Sequence, residues 1–352
     1  MLVLGIRSIG LVTSLGFSAA ATCAALRAGL SNPSQSTFIA DDGEPVAVHR
    51  VPLERPWTGR ARLTKMLTPA IAECLKGSAI VPRTLPMLMC VAERNRPGRI
   101  DGLDEQLFDD VQIELGAEFD ARRSAILPMG RFGALAALQR ARQLLSDPAV
   151  DSVIVAAVDS LITLPVLAAM DRSERLLTTR NSNGFIAGEG AGALLVGRAI
   201  GSSGELSCIG LGSGTESATL LGSEPLRADG LSGAIRAALA EAGLAIHDVD
   251  FRISDISGEQ YFFKEATLAV GRLLRQRKES FDLWHPAEGI GEAGALAAVA
   301  MIAVAWAACR KGYAPGPRIL LHAGSDGTQR FAALFEYGSV GQTRADPAGG
   351  LH

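Results

Sequence analysis

The sequence predicts an α/β protein made of two duplicated halves, and two observations lead to that prediction. The pattern Gly-x-x-Gly-Ala-Leu-Ala-Ala occurs at residues 130–137 and again at 291–298. Each copy opens a long apolar helical run, and each run is followed by a β-like stretch that ends in an acidic turn, at 152–160 and 318–326. A matched order of helix and strand at similar offsets indicates duplication. We expect a pocket where the two helix starts meet.

The first half, residues 1–200, contains elements that follow from local patterning. Short apolar runs predict buried strands, and apolar residues spaced three and four apart predict helices. Four prolines and the Asp41-Asp42-Gly43 sequence predict mainly loop over 31–59. The expected strands are 2–6, 86–92, 124–127 and 152–158, a turn is expected at 11–16, and the helices are 19–28, 63–75, 102–115 and 130–145.

The glycine-rich segment 188–192 predicts a tight turn before a strand at 193–196. The alternative, a phosphate-binding loop, is disfavoured because the segment lacks GxxxxGK[ST] and precedes a strand. The polar segment 201–204 marks the predicted boundary to a second half, 205–338. That half is predicted to contain helices at 231–241 and 264–275, a strand at 251–256 and the second repeat at 289–336. The remaining tail, 339–352, has a disorder-prone composition.

Composition limits the class of protein. Of the 352 residues, 48% are hydrophobic and 20% charged, which indicates a folded globule. The net charge of −3 and the lack of a basic block argue against nucleic acid and anionic membranes as partners. The uncharged run from Ala293 to Cys309 is too short for a membrane span and predicts a buried helix.

The five cysteines are scattered and form no CxxC pair, which predicts reduced thiols in a cytoplasmic protein. Cysteine and histidine show no metal-ligand spacing, so we expect neither metal nor cofactor. Cys90 lies on a predicted buried strand, where a packed small hydrophobe is favoured over a reactive thiol.

Four segments together resemble the β-ketoacyl synthases of the thiolase superfamily. They are Gly-Leu-Val-Thr-Ser-Leu-Gly at 10–16, Val-Asp-Ser at 158–160, Gly-Phe-Ile-Ala-Gly-Glu-Gly-Ala at 184–191 and Gly-Ser-Asp-Gly-Thr-Gln at 324–329. The resemblance implies a thiolase-like fold: two βαβαβ-type halves in five layers, α-β-α-β-α, with two buried central helices. It also implies a relation to the acyltransferases of fatty acid and polyketide biosynthesis.

The resemblance fails at the catalytic positions. The family's nucleophilic cysteine matches Gly130, and its two catalytic histidines match Asp255 and Glu288. The second match can shift by a few residues, because His285 is close by. The aromatic gate of the closing loop matches Ser325. Without a nucleophile to carry the acyl group, and with acids where imidazoles should stabilise negative charge, we predict that condensation is lost.

The replacements have alternative interpretations. Gly130 is either part of a backbone anion nest at a helix start or, as we favour, a glycine tolerated once the nucleophile is dispensable. Arg131 either binds a phosphate or carboxylate or pairs with Glu288, Glu292 or Asp255, and the pairing is favoured. Asp255, Glu259 and Glu288 together suggest a metal or acid–base site only weakly. His285 is interpreted as a rim residue rather than a displaced base. The pocket candidates are Arg131, Phe132, Glu259, His285, Ser325, Asp326 and Thr328.

The leading functional hypothesis is a non-catalytic ketosynthase-like binding partner or scaffold. The resemblance implies either a partner subunit of an active synthase or an accessory of a secreted effector. It also implies a homodimer, or a heterodimer with a related chain, through an edge strand from Ser152 to Val158, and an acyl carrier protein as a further candidate partner. The alternative is an acyl-thioester enzyme, a hydrolase or decarboxylase, that uses Asp255 or Glu288 as general base. A third hypothesis is an intact condensing enzyme whose cysteine arrives from elsewhere.

Overall fold

The computed structural model describes residues 2–338, so the predicted disorder of 339–352 lies outside the described residues. The first half contains five helices and seven strands. The helices are α1 (Ala19–Arg27), α2 (Gly59–Leu75), α3 (Gln106–Leu115), α4 (Gly133–Leu144) and α5 (Leu164–Arg172). The strands are β1 (Leu4–Thr13), β2 (Ser34–Ile39), β3 (Pro45–His49), β4 (Met87–Val91), β5 (Ala125–Pro128), β6 (Ser152–Ser160) and β7 (Ala187–Arg198).

The second half repeats this arrangement with shorter connections. Its helices are α6 (Asp229–Ala242), α7 (Gln260–Leu273), α8 (Ala287–Ile290) and α9 (Ala297–Arg310). Its strands are β8 (Leu206–Thr215), β9 (Phe251–Ser254), β10 (Leu283–Trp284), β11 (Arg318–Gly324) and β12 (Gln329–Tyr337).

The strand order confirms the duplication. The first half has the order β1-β7-β6-β4-β5, and the second has the equivalent order β8-β12-β11-β9-β10. In each half the first two pairings are antiparallel and the last two are parallel. The halves join where residues 4–6 of β1 pair with 206–208 of β8. The division into domains at 201–204 remains a proposal.

Three apolar clusters define the layers. One cluster packs α2 and α3 against one face of the first sheet, and another packs α6 and α7 against the second sheet. The largest lies between the sheets and contains the apolar residues of α4 and α9. The chain therefore has the predicted α/β architecture, with α4 and α9 as central helices. No helix within residues 2–338 is both long and apolar enough to cross a membrane.

Three local predictions are wrong. β1 continues to Thr13 where a turn was expected from residue 11, because it pairs with β7 along its whole length. The supposed loop 31–59 contains the β2–β3 hairpin, which is held by β3 pairing with the start of β7. Residues 188–192 lie inside β7 and form no turn. A Cβ at Gly192 would lie 2.7 Å from Cγ1 of Val299, so these glycines let α9 approach the strand.

The expected pairing strand from Ser152 to Val158 is also misplaced. It belongs to β6, which has β7 on one side and β4 on the other, so both of its edges are already hydrogen-bonded. The strand at the edge of this half is β5, which pairs with β4 alone. Within residues 2–338, β5 therefore leaves one edge of this half unpaired, as β10 does in the other half.

Candidate functional site

The two central helices begin at glycines with left-handed backbone. Gly130 has a φ of +59° and Gly294 a φ of +55°, and each opens a short 3₁₀ turn that leads into α4 or α9. A Cβ at Gly130 would collide with Oε1 of Glu93, and one at Gly294 would collide with Oδ2 of Asp159. The left-handed backbone at Gly130 therefore favours glycine, and a side chain there would require the Glu93 carboxylate to move.

A buried arginine connects these two carboxylates. Arg96 pairs with Glu93, and its Nη1 lies 2.8 and 2.7 Å from the two carboxylate oxygens of Asp159. Oδ2 of Asp159 also accepts a hydrogen bond from the backbone N–H of Ala295 at 2.9 Å, at the start of the second helix. Arg96 thus links the starts of both central helices, and the sequence analysis did not identify it.

Arg131 is buried directly after Gly130 and is surrounded by acids. Its Nη1 lies 3.3 Å from Glu292 Oε2, its Nη2 lies 2.9 Å from Asp326 Oδ1, and its Nε lies 3.6 Å from Asp255 Oδ2. The favoured pairing of Arg131 with a nearby acid is confirmed for Asp255 and Glu292. Glu288 takes no part in it.

The closing loop, 325–328, is fixed by two further arginines. Nη1 of Arg175 lies 2.6 Å from Asp326 Oδ2, and Nε of the same residue lies 2.8 Å from Glu259 Oε1. Arg330 donates from Nη1 to the carbonyl oxygens of residues 325 and 327 and pairs through Nε with Glu265 at 2.7 Å. These contacts hold the loop against the start of α4.

A pocket of about 650 Å³ lies between the start of α4, the loop after β4 and the closing loop. Arg131, Phe132, Ser325, Asp326 and Thr328 line it, as predicted. The lining residues with polar or charged side chains are Glu93, Arg94, Asn95, Arg96, Arg131, Ser173, Arg175, Glu292, Ser325, Asp326, Thr328 and Gln329.

The other predicted residues occupy different places. Asp255 lies beneath Arg131, and Glu259 lies behind Arg175. Glu288 and His285 lie elsewhere, beside a second cavity, where His285 Nδ1 is 3.0 Å from Glu288 Oε1 and the Glu288 side chain is 76% exposed. The buried acid that faces the pocket is Glu292, four positions further along the chain.

The carboxyl groups of the site differ in pKa because their surroundings differ. Burial raises the pKa of Glu292 to about 7, with Asp255 adding to the rise and Arg131 opposing it. Burial also raises the pKa of Asp255. At Asp326, whose side chain is 45% exposed, partial desolvation raises the pKa less than the cations of Arg131 and Arg175 lower it, and the pKa falls to about 2. Near neutral pH, Asp326 is therefore ionised while Glu292 is poised to exchange a proton.

Thiols and imidazoles do not contribute to the pocket wall. None of the five cysteines lines it, and burial raises the pKa of each thiol to about 12. Cys90 is fully buried in the central cluster, as predicted. Among residues 2–338 no histidine lines the pocket either. Within the same residues no group of three or more His, Cys, Asp or Glu side chains is placed to hold a metal ion.

The sequence analysis missed Glu93, Arg96 and Arg175, and it quoted Asp159 only as part of a family segment. Arg96 and Asp159 are 63 positions apart, and Arg175 and Asp326 are 151 apart. No local pattern signals such pairs. The repeated motif was a clue, but its register differs from the structure: Gly130 is the first glycine of its copy, whereas Gly294, which opens the equivalent turn, is the second glycine of the other copy.

Comparison with known proteins agrees with this architecture. Residues 133–200 match the sequence model of the β-ketoacyl synthase N-terminal domain, and no curated protein sequence matches the chain. Among solved structures the chain is similar to the ketosynthase ApeO in complex with its chain length factor ApeC from Xenorhabdus doucetiae. The identity is 14%, the TM-score is 0.70, and the match covers 96% of this chain and 98% of that one.

Two further structures give the same result. One is the AntDE:AntF complex, a type II PKS acyl-carrier protein with its ketosynthase bound to the hexaketide, at 14% identity and a TM-score of 0.75. The other is the ishigamide ketosynthase/chain length factor, at 15% identity and a TM-score of 0.74. Each match covers 96% of this chain and 99% of the other.

The chain is therefore a protein of the thiolase-like fold. More specifically, residues 133–200, from the start of α4 to just beyond the end of β7, are similar to the β-ketoacyl synthase N-terminal domain.

Proposed function

We propose that this chain is a ketosynthase-like protein that does not catalyse condensation and serves as the binding subunit of a thiolase-fold partner. The observation that supports this most is at Gly130, the residue that matches the family's nucleophile. It has no side chain, and Glu93 fills the space that a side chain would need. An acyl group therefore has no atom to bond to at this helix start.

The electrostatics of the pocket support the same proposal. Condensation of the ketosynthase type needs neutral imidazoles aimed at a developing oxyanion. Here the groups around the helix starts are arginines already paired with carboxylates, among them Arg96 with Asp159 and Arg131 with Glu292. These pairs fix the helix starts to each other and to the closing loop, which suits a rigid binding scaffold.

The partner we propose is a related thiolase-fold chain that pairs at β5. This strand is the edge of the first sheet, its residues are partly exposed, and it leads directly into the pocket through Pro128. Similarity to a ketosynthase held in complex with its chain length factor favours a synthase partner subunit over an accessory of secreted effectors. An acyl carrier protein is a second proposed partner, by analogy with the AntDE:AntF complex.

The loss of condensation is tested with the purified chain and a chloroacetyl-pantetheine thioester, followed by intact-mass spectrometry and a condensation assay with malonyl-acyl carrier protein. We expect no covalent adduct and no product. An intact ketosynthase serves as the positive control. Stoichiometric labelling of one cysteine, or condensation above the protein-free rate, would refute the proposal.

The pairing at β5 is tested by sedimentation velocity, with and without a candidate ketosynthase partner. Ala125→Arg places a charge on the edge strand, and Ile113→Arg on the exposed face of α3 is the matched control. We expect Ala125→Arg to abolish the dimer and Ile113→Arg to leave it intact. Equal effects of the two substitutions, or a monomer that ignores every partner, would contradict pairing at β5.

A second candidate function is hydrolysis of an acyl thioester, favoured by the position and raised pKa of Glu292 at the pocket wall. Glu292 would accept a proton from water while the water oxygen bonds to the carbonyl carbon. The C–S bond then breaks and the thiolate takes up the proton. Release of free pantetheine thiol from acetyl- or malonyl-pantetheine, lost in Glu292→Gln and retained in Glu288→Gln, would establish this activity. Absence of turnover removes it.

A further inference from the structure

The second cavity, of about 320 Å³, is separate from the pocket at the helix starts and shares no lining residue with it. It lies where α1, the β10–α8 segment and the end of α9 meet. Cys23, Leu26, Leu283 and Val304 form much of its apolar wall. Its volume is near the lower end of the range seen for small-ligand sites, and such sites are mostly apolar with few polar groups.

Two aromatic rings form the rigid part of this cavity. The rings of Trp284 and Tyr313 are inclined by 25°, with centroids 6.3 Å apart. Trp284 is supported from behind by Phe251 at 4.6 Å, inside the central core. Because both rings are held by packing, the apolar wall is formed before any ligand arrives, which lowers the cost of binding.

The rim carries one cation that the fold does not neutralise. The Arg27 guanidinium stacks over the Tyr313 ring at 4.2 Å, and no carboxylate within residues 2–338 forms a salt bridge with it. The carboxylate of Glu288, also on the rim, lies 3.0 Å from His285 Nδ1, and its side chain is 76% exposed. The permanent positive charge at this rim is that of Arg27, and a guanidinium binds carboxylates through paired hydrogen bonds.

We propose that this cavity binds a small amphiphilic carboxylate, with its apolar body against the Trp284 and Tyr313 rings and its carboxylate on Arg27. The aromatic and aliphatic side chains of the cavity contact the apolar part of the ligand. The guanidinium of Arg27 makes an anionic ligand bind better than a neutral or cationic ligand of the same chain length. This binding is independent of any chemistry at the helix starts.

The test uses the intrinsic fluorescence of Trp284. The chain has three tryptophans, so Trp57→Phe with Trp306→Phe leaves only the one in this cavity. Sodium octanoate is titrated into this variant, with 1-octanol and octylammonium as neutral and cationic probes of the same chain length. We expect a saturable change with octanoate and markedly weaker responses to the other two.

Arg27→Gln should weaken octanoate binding about tenfold, as expected for one charge-assisted hydrogen bond to a ligand. Arg27→Glu should reverse the preference towards octylammonium. Arg310→Gln is the matched control, because Arg310 is an exposed arginine that does not line this cavity and its loss should leave octanoate binding unchanged. Arg27 is exposed, so these variants should fold, and circular dichroism checks that they do. No saturation, equal affinity for octanoate and octanol, or an unchanged affinity in Arg27→Gln would overturn the proposal.

Discussion

Gly130 and Gly294 occupy equivalent positions in the two halves, with nearly the same left-handed backbone and a carboxylate in the place of a side chain. At Gly130 the carboxylate is Glu93, and at Gly294 it is Asp159. Arg96 binds both carboxylates and so connects the helix start of the first half with that of the second. The pair of helix starts that borders the pocket is therefore held by one buried arginine.

The glycine requirement predicts a strong effect of Gly130→Ala. The left-handed backbone alone costs an alanine about 1–2 kcal/mol. The Glu93 carboxylate must also move away from the added carbon and from Arg96, so we expect a total loss of about 2–3 kcal/mol in the free energy of unfolding measured with urea. Gly116→Ala is the control, since Gly116 has a φ of +63° and open space around it. Glu93→Ala combined with Gly130→Ala should recover most of the steric term. Equal effects at Gly116 and Gly130 would show that the collision is relieved without cost.

The buried position of Arg131 predicts that its charge is needed for stability. Arg131→Met leaves Asp255 and Glu292 buried without their cation, a change that costs about 3–5 kcal/mol in comparable buried pairs. Arg123→Met removes an arginine of an exposed pair with Asp120 and should change stability little. Chemical denaturation of both variants compares the two. A loss at Arg131 no larger than at Arg123 would contradict the pairing.

Glu292 predicts a specific pH dependence. Its folded pKa of about 7 lies above the ordinary value of 4.5, so the folded state holds a proton that the unfolded state has released between these pH values. Its contribution to stability is therefore complete below about pH 4.5 and is lost as the pH rises through 7, with a slope of about 1.4 kcal/mol per pH unit for one proton. Burial also raises the pKa of Glu265 to about 7. Glu292→Gln should therefore reduce the slope in urea unfolding measured from pH 4 to 8 by the share of one proton, and Glu265 keeps the rest.

Asp326 provides the control of opposite sign. Its folded pKa of about 2 lies below the ordinary 3.8, so its contribution is present above pH 3.8 and lost as the pH falls through 2. Asp326→Asn should therefore alter the profile in acid and leave the slope between pH 4.5 and 7 unchanged. A wild-type profile identical to that of Glu292→Gln across this window would contradict the raised pKa of Glu292.

Substitution of a packed glycine in β7 and of an unpacked glycine in α6 should change stability in opposite directions. Gly192→Val forces extra atoms between β7 and α9, next to Val299 and Leu11, and overpacking of this kind costs about 1–3 kcal/mol. Gly233→Ala lies in α6 with nothing within 4 Å of the added carbon, and it should stabilise the protein by about 0.5–1 kcal/mol. Thermal unfolding of the two variants gives the sign directly. A neutral Gly192→Val would mean that the helix is free to move away.

Much of the fold could be predicted because its signals are local. The helix predicted at 19–28 is observed as Ala19–Arg27, and the strand predicted at 86–92 is observed as Met87–Val91. The errors arise where distant segments decide the outcome. The β2–β3 hairpin is fixed by pairing with β7, which follows more than a hundred residues later.

The site could be predicted only in part, for the same reason. Arg131 and the closing loop were identified because each follows a recognisable motif. Glu288 was assigned by matching the family's second histidine segment, but the chain turns through the short helix α8 and carries that side chain to the surface. Glu292 is the acid that packs inward. It is 161 positions from Arg131 along the chain, so no local sequence pattern indicates that the two residues pair.

The sequence by itself determined the duplication, the two central helices and the absence of a thiol at the first helix start, because each of these features depends on residues that are neighbours in the chain. Only the tertiary structure decided which carboxylates meet Arg96 and Arg131, that β5 and not β6 forms the sheet edge, and that a second cavity with an unpaired arginine exists. The physical reason is that helix and strand formation depend on neighbours in the chain. Charge pairing, sheet edges and cavities depend instead on how segments far apart in sequence are packed together.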